Sequence, residues 1–176
     1  RAALPGVKPY IAGSKVPANV RALAAEDFVV TGYVPDVTPY FAGCRVSIAP
    51  LRYGAGVKGK INLAMSYGLP VVATTPAIEG MSLVAERDAL VADDAKAYAD
   101  AIVRLYRDEA LWNRLAAAGR DNIRTHFSRD VARSAITRLI AFAHAGGNAA
   151  PASARAREFT PVTPTLPCRA RHRLQA

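Results

Sequence analysis

A chain of 176 residues, 51% of them hydrophobic and 21% charged, is long enough for one full domain and too short for two comfortable ones. Such a composition excludes a disordered or fibrous chain. No apolar run reaches the ~18 residues that span a bilayer, and the opening RAALPGVKPYIAG has no signal-peptide core, so the expected location is cytoplasmic. The formal net charge is +9, but Arg155, Arg157, Arg169, Arg171 and Arg173 lie in the last stretch with Glu158 as the sole acid, and the remainder is only mildly basic. That surface suits an anionic ligand, an anionic lipid or a nucleic acid alike. Cys44 and Cys168 have no metal or redox spacing and read as free thiols.

In chain order, VKPYIAG reads as a strand that leaves into a turn at Gly13, and PANVRALAAE as a helix with Val20, Leu23 and Ala24 on one face. FVVTGYV is a β-branched strand stopped at Gly32. PDVTPYFAGC is a short helix with Asp36 as a candidate N-cap and Pro39 near its first turn, and CRVSIAPL is the third strand. A glycine-rich loop, RYGAGVKGK, then opens the helix GKINLAMSYG, closed by Gly68. LPVVATT and DALVAD follow as strands. From Asp93 onward the chain is helical: Asp93 or Asp94 caps a helix whose apolar face includes Tyr98, Ile102 and Leu105, and Ser128 caps a last one with Ala132, Ile136, Leu139 and Ile140 on one face. Trp112, with Leu111 and Leu115, reads as a packing residue. The pattern stops at Gly146, and the Pro- and Arg-containing stretch 147–176 is expected to be a disordered basic tail.

Apolar strands alternating with helices argue for an α/β domain, a doubly wound parallel sheet of Rossmann-like type with C-terminal helices, over 1–146. The chain opens in RAALPG, which reads as the end of a helix, so a first strand and a preceding domain are expected to be missing.

The loop after the third strand stands where open parallel sheets bind ligands. Gly54, Gly56 and Gly59 let backbone N–H groups approach a ligand, the following helix offers unpaired N–H donors and a positive dipole end, and Arg52, Lys58 and Lys60 add full charges. The composite describes a phosphate or diphosphate site; the other reading is a tight turn with solvated lysines and arginine. A P-loop fails because no Ser or Thr follows Lys60. Gly54, Gly56 and Gly59 form a literal GxGxxG, but away from a first βα turn and with Glu79 in a loop where the ribose-binding acid belongs at a strand end. His126, His144 and His172 are too widely spaced to suggest a metal or catalytic pair, and no paired carboxylates suited to a divalent cation are present.

The ordered run VTGYVPDVTPYFAGCRVSIAPLRYGAGVKGKINLAMSYGLPVVATTPAIEGM resembles the C-terminal, donor-binding half of the group-1 retaining glycosyltransferases of GT-B fold, over about residues 5 to 130. The resemblance implies that Gly54 and Gly56, with Tyr53, Ala55 and Val57 between and beside them, approach the donor's phosphates and sugar. It implies that Arg52, Lys58 and Lys60 neutralise the diphosphate, with Arg52 and Lys60 as the catalytic cations, and that Tyr33 and Val34 line the base. Gly68 and Pro70 match a structural turn. Glu79 either contacts the donor or caps its segment. The family's two glutamates fall at Ala55 and Leu63, so both carboxylates are absent.

The expected function is therefore transfer of a hexosyl group from a nucleotide-sugar to an acceptor glycan or lipid-linked sugar, with retention, without metal and without a cofactor besides the donor. The acceptor site would lie on a missing N-terminal domain, leaving this chain alone inactive and allowing peripheral contact with the inner membrane face. No nucleic acid is expected as partner. Two alternatives stand beside this: a GT-B-type sugar-nucleotide epimerase, separated by turnover without acceptor, and a non-catalytic basic module binding an anionic surface or nucleic acid, separated by deleting 151–176.

Overall fold

The computed structural model describes residues 3–144. The disordered tail expected over 147–176, and with it Cys168 and His172, lies outside the described residues. By compactness the chain divides into Arg1–Ala135 and Ile136–Ala176.

The first unit holds five short strands, each parallel to its paired neighbours: β1 (Tyr10–Ala12), β2 (Val29–Gly32), β3 (Ser47–Ala49), β4 (Val71–Ala73) and β5 (Leu90–Val91). Helices alternate with them: α1 (Ala18–Arg21), α2 (Thr38–Gly43), α3 (Gly59–Ser66) and α4 (Thr75–Ile78), then α5 (Ala95–Arg107), α6 (Glu109–His126) and α7 (Arg129–His144). The α/β class with parallel pairing is as expected. The strands form two sheets, however, β1-β2 and β3-β4-β5, where one continuous sheet was expected. In register, Ser47, Ile48 and Ala49 pair with Val71, Val72 and Ala73, and Val72 and Ala73 with Leu90 and Val91.

Because side chains alternate across a strand, β4 feeds two cores. Val71 and Ala73 join Ala49, Ile61, Ala64, Met65, Ala77 and Met81 beneath α3. Val72 joins Leu90, Leu105, Leu111 and Leu115 beneath α5 and α6, with Tyr98, Ile102 and Trp112 at its margin. The expected packing of the α5 face and of Trp112 is thus present. Arg45 lies against the rings of Tyr106 and Trp112, and the Trp112 indole donates to the Arg45 carbonyl at 2.6 Å, joining the approach to β3 to the α5–α6 corner.

Local signals end each element. Asp94, not Asp93, caps α5, accepting from the Ala97 N–H, while Asp93 accepts from the Thr75 N–H and hydroxyl and so fixes the start of α4. Asp108 closes α5 and caps α6 in one residue, through the Leu111 N–H. Asp36 accepts from the Thr38 N–H ahead of α2, and Ser128 from the Val131 N–H at α7. Gly68 ends α3 at φ +72, which leaves its own N–H to the Met65 carbonyl and the Leu69 N–H to the Ala64 carbonyl, a Schellman closure that only a left-handed residue allows.

Three expectations fail. The helix foreseen over 17–26 is the single turn α1, with no buried residue and Leu23 exposed, because no neighbouring element covers its apolar side. RAALPG is turn rather than helix end from Ala3 on. On α7, Ile136, Leu139 and Ile140 are exposed, so that face is amphipathic in sequence without a covering partner among the described residues.

Tyr98 supplies a joint that no strand pattern announces. Its hydroxyl donates to the Val72 carbonyl at 2.7 Å and accepts from the Ala49 N–H at 3.0 Å, bridging β3 and β4 where a direct ladder bond would otherwise close. Burial pushes the phenol up to about 12, the Ala49 N–H offsetting part of that. Tyr98→Phe leaves two backbone groups unpaired and is expected to cost about 1–3 kcal/mol in urea unfolding. Since the folded-state value is raised above the ordinary 10.0, the wild type's Tyr98-linked stability is complete below pH 10 and declines as pH rises toward 12; the variant lacks that decline.

Candidate functional site

The loop between β3 and α3 leaves the carboxyl end of a strand in a parallel sheet, and residues 52–57 are exposed without exception. Gly56 holds φ +69, a conformation that side chains other than glycine rarely adopt, and nothing lies within 4 Å of where its Cβ would be. The loop's crest is thus bare backbone.

Its cations divide. Arg52 and Lys60 are exposed and form no ion pair among the described residues. Lys58 turns the other way: it is buried, its ammonium donates to the Glu79 carbonyl at 2.8 Å, and its own N–H points to the Met81 sulfur at 3.0 Å. It ties the glycine loop to the Glu79–Met81 loop behind it. The Lys58 carbonyl takes the N–H groups of Ile61 and Asn62, so the orphan donors at the start of α3 are those of Gly59 and Lys60. With eight residues and no acid in its first turn, α3 presents an uncompensated positive end there.

Of the other expected site residues, Tyr53 and Tyr33 are exposed, at 85% and 75%, and Val57 is exposed as well. Val34 is half-buried. Glu79 is exposed, and its role in the described contacts is through its carbonyl. Ala55 and Leu63 are both exposed, so neither apolar residue is dictated by a core.

Sequence reasoning missed a second feature at strand carboxyl ends. Gly13, Lys15, Val16, Arg21, Val30, Thr31 and Gly32 line an open cleft of about 310 Å³ beyond β1 and β2. Lys15 sits at φ +58, and the Arg21 guanidinium donates to the Val16 carbonyl at 2.9 Å, which holds a second cation beside the cleft. The signal available was the lysine directly after the Gly13 turn. Tyr33 and Val34 follow Gly32 out of this cleft.

A different pocket, lined by Arg87, Asp88, Asn122 and His126 among others, lies before β5, away from the strand carboxyl ends. Burial alone would raise the Asp88 carboxyl, but Arg87 and the Val84 N–H bond it and hold it below its ordinary value, which makes this a structural knot. Among the described residues no group of three or more His, Cys, Asp or Glu is placed to hold a metal ion, and no helix is long and apolar enough to cross a membrane.

Residues 1–108 match the family described as Glycosyl transferases group 1. No curated protein matches the chain in sequence. Among solved structures the chain is similar to sucrose-phosphate synthase from Thermosynechococcus elongatus, with TM-score 0.66 and 21% identity over 77% of this chain and 38% of that one. It is similar to the C-terminal domain of a glycosyl transferase group 1 family protein, LpcC, from Francisella tularensis, with TM-score 0.54 and 17% identity over 62% and 58%. The catalytic domain of starch synthase IV from Arabidopsis thaliana, bound to ADP and acarbose, gives TM-score 0.51 and 15% identity over 75% and 31%. At these identities the likeness speaks for the fold, a GT-B glycosyltransferase domain. The chain spans 58% or less of each of these structures.

Proposed function

Because the chain belongs to the group 1 glycosyl transferases, we propose that it is the donor-binding portion of an enzyme that moves a hexosyl group from a nucleoside diphosphate sugar to an acceptor, with retention of configuration. The observation that carries this reading is the exposed loop 52–57, bare of side-chain cover at Gly56, flanked by two unpaired cations and the open amino end of α3.

As the bond from the anomeric carbon to the diphosphate breaks, negative charge gathers on the departing phosphate oxygens. Arg52 and Lys60 meet that charge with full positive ones, and the Gly59 and Lys60 N–H groups with fixed dipoles, a combination that stabilises the leaving group without a metal ion. Lys58 acts one step back, through the Glu79 carbonyl, by holding the loop's base in place. The cleft beyond β1 and β2, from which Tyr33 and Val34 follow in the chain, takes the nucleoside, and Lys15 in its lining supplies positive charge. The ADP in the starch synthase IV structure supports a nucleoside diphosphate as ligand class.

With Ala55 and Leu63 in place of carboxylates, ribose and sugar hydroxyls are held by backbone groups of the loop and by other side chains. The acceptor surface belongs to polypeptide outside this chain, so the chain alone binds donor and turns nothing over. Calorimetry with uridine, guanosine and adenosine diphosphates, each against orthophosphate, tests the reading: one diphosphate is expected to bind well above orthophosphate. Equal, salt-abolished binding of all four probes would overturn it, as would transferase turnover by the isolated chain in the case of the missing acceptor surface.

A further inference from the structure

The inner face of α6 changes character halfway along. Residues three and four apart on a helix share a face, so Leu111, Leu115, Ala118, Asn122, Thr125 and His126 form one stripe. Its first two members are buried in the core around Val72. An apolar side chain at 122 would extend that core, but the sequence places an asparagine there, beside the small Ala118, and the stripe turns polar. The result is the cleft of about 290 Å³ ahead of β5. Ala118 and Asn122 form its floor, Asp121, Thr125 and His126 stand beside them, and Arg87 and Asp88 form the facing wall.

Three observations distinguish this cleft from a gap in packing. Asn122 is 6% exposed, its Nδ2 donates to the Ser82 carbonyl at 2.8 Å, and its Oδ1 is buried without a hydrogen-bond partner. A buried amide oxygen in that state costs free energy until something donates to it. The loop on the facing side is strained, since Ser82 at φ +54 and Glu86 at φ +62 are left-handed without being glycine. α6 holds both residues, through Asn122 on the Ser82 carbonyl and Arg114 on the Glu86 carbonyl at 2.7 Å. The charges of the lining, finally, are already matched: Arg87 meets Asp88 at 2.7 Å, and Asp121 meets Arg124 at 3.0 Å.

These features set the chemistry of an occupant. A phosphate or a metal ion would have to break one of the ion pairs, and no Phe, Tyr or Trp lines the cleft for a nucleobase to stack on. What the cleft offers is the Asn122 oxygen as acceptor, the Thr125 hydroxyl as donor or acceptor, the His126 imidazole, and the N–H groups of the exposed Arg87 that Asp88 does not use. At about 290 Å³ it stands at the small end of ligand sites.

We propose that this cleft binds a neutral saccharide unit. Adjacent sugar hydroxyls each donate and accept, so one donates to Asn122 Oδ1 while its neighbours bond Thr125 and Arg87. Binding completes the hydrogen bonding of a buried amide without uncoupling any charge. The cleft lies away from the strand carboxyl ends and shares no residue with the glycine loop, so it holds a sugar without taking part in transfer.

Amide NMR spectra of the isotope-labelled 176-residue chain, recorded without nucleotide, test this. The probes are D-glucose, D-mannose, D-galactose and N-acetyl-D-glucosamine, then maltotetraose and chitotetraose. At least one is expected to give saturable shifts of the Asn122 side-chain amide and the Thr125 and His126 backbone amides, half-complete at or below about 10 mM. Thr125→Val is expected to weaken that binding about 2- to 10-fold. Ala118→Leu, which fills the cleft, is expected to abolish it, and both variants should melt within about 2 °C of wild type. Tighter binding of a tetrasaccharide than of its own unit assigns the cleft to a glycan chain, and equal binding to a single sugar. No saturation by any probe up to about 100 mM would overturn the proposal and leave Asn122 Oδ1 to a bound water. Shifts undiminished in both variants would overturn it too, as would a stronger response to orthophosphate or magnesium ions than to any sugar. Nucleoside diphosphate binding is read at the amides of 54–60 instead, so either reading can fail without the other.

Discussion

Replacing Arg52 and Lys60 together by alanine is expected to weaken binding of the preferred nucleoside diphosphate by about 100- to 10,000-fold, because each charge-assisted bond to a phosphate contributes about 1.5–3 kcal/mol. The unfolding midpoint is expected to stay within about 2 °C of wild type, since both side chains are exposed and unpaired. Calorimetric titration of the two proteins at one ionic strength reads the first quantity, and a thermal melt without ligand the second. Undiminished affinity would remove the loop from the site. A loss of affinity accompanied by a large fall in midpoint would point to a structural role for these residues instead.

Met65→Ala is the substitution expected to cost most in stability, about 2–5 kcal/mol, or roughly 5–15 °C in midpoint for a domain of this size. Met65 is fully buried on the inner side of α3 and fits against Gly119 of α6 so closely that a Cβ at position 119 would lie 3.1 Å from its Cγ. Truncation opens a cavity at that contact. Gly119→Ala alone is expected to destabilise by crowding Met65, whereas added to Met65→Ala it fills part of the vacated space, so the double variant should lose less than the sum of the two. Additive losses in urea unfolding would mean that the two sites do not share one packing contact.

The parallel α/β class was legible because β4 is apolar on every residue and the glycine at 68 sits where a helix must stop. Caps at Asp94 and Ser128 follow from side-chain chemistry within one turn, although choosing Asp94 over Asp93 required knowing that Thr75, distant in sequence, engages Asp93. The glycine loop was legible as an exposed, cationic crest. What escaped depends on contacts between distant residues. Lys58 looks like a third loop cation, but its side chain finds a carbonyl inside the fold. The Tyr98 bridge joins residues separated by half a domain, and the cleft near Lys15 exists only once β1 and β2 are paired. α1 and the apolar face of α7 show the reverse case: helical spacing is a property of the segment, whereas burial is a property of whatever lies opposite.

Ala55 and Leu63 sit on the surface of the glycine loop and of α3, where no core contact selects their size or polarity. The scaffold's stability is decided elsewhere, beneath α3 and around Tyr98. Single substitutions at these two positions are therefore expected to leave folding untouched. Surface chemistry at the glycine loop and stability of the scaffold are thus separable, because positions 55 and 63 are exposed while the loop's anchor at Lys58 is buried.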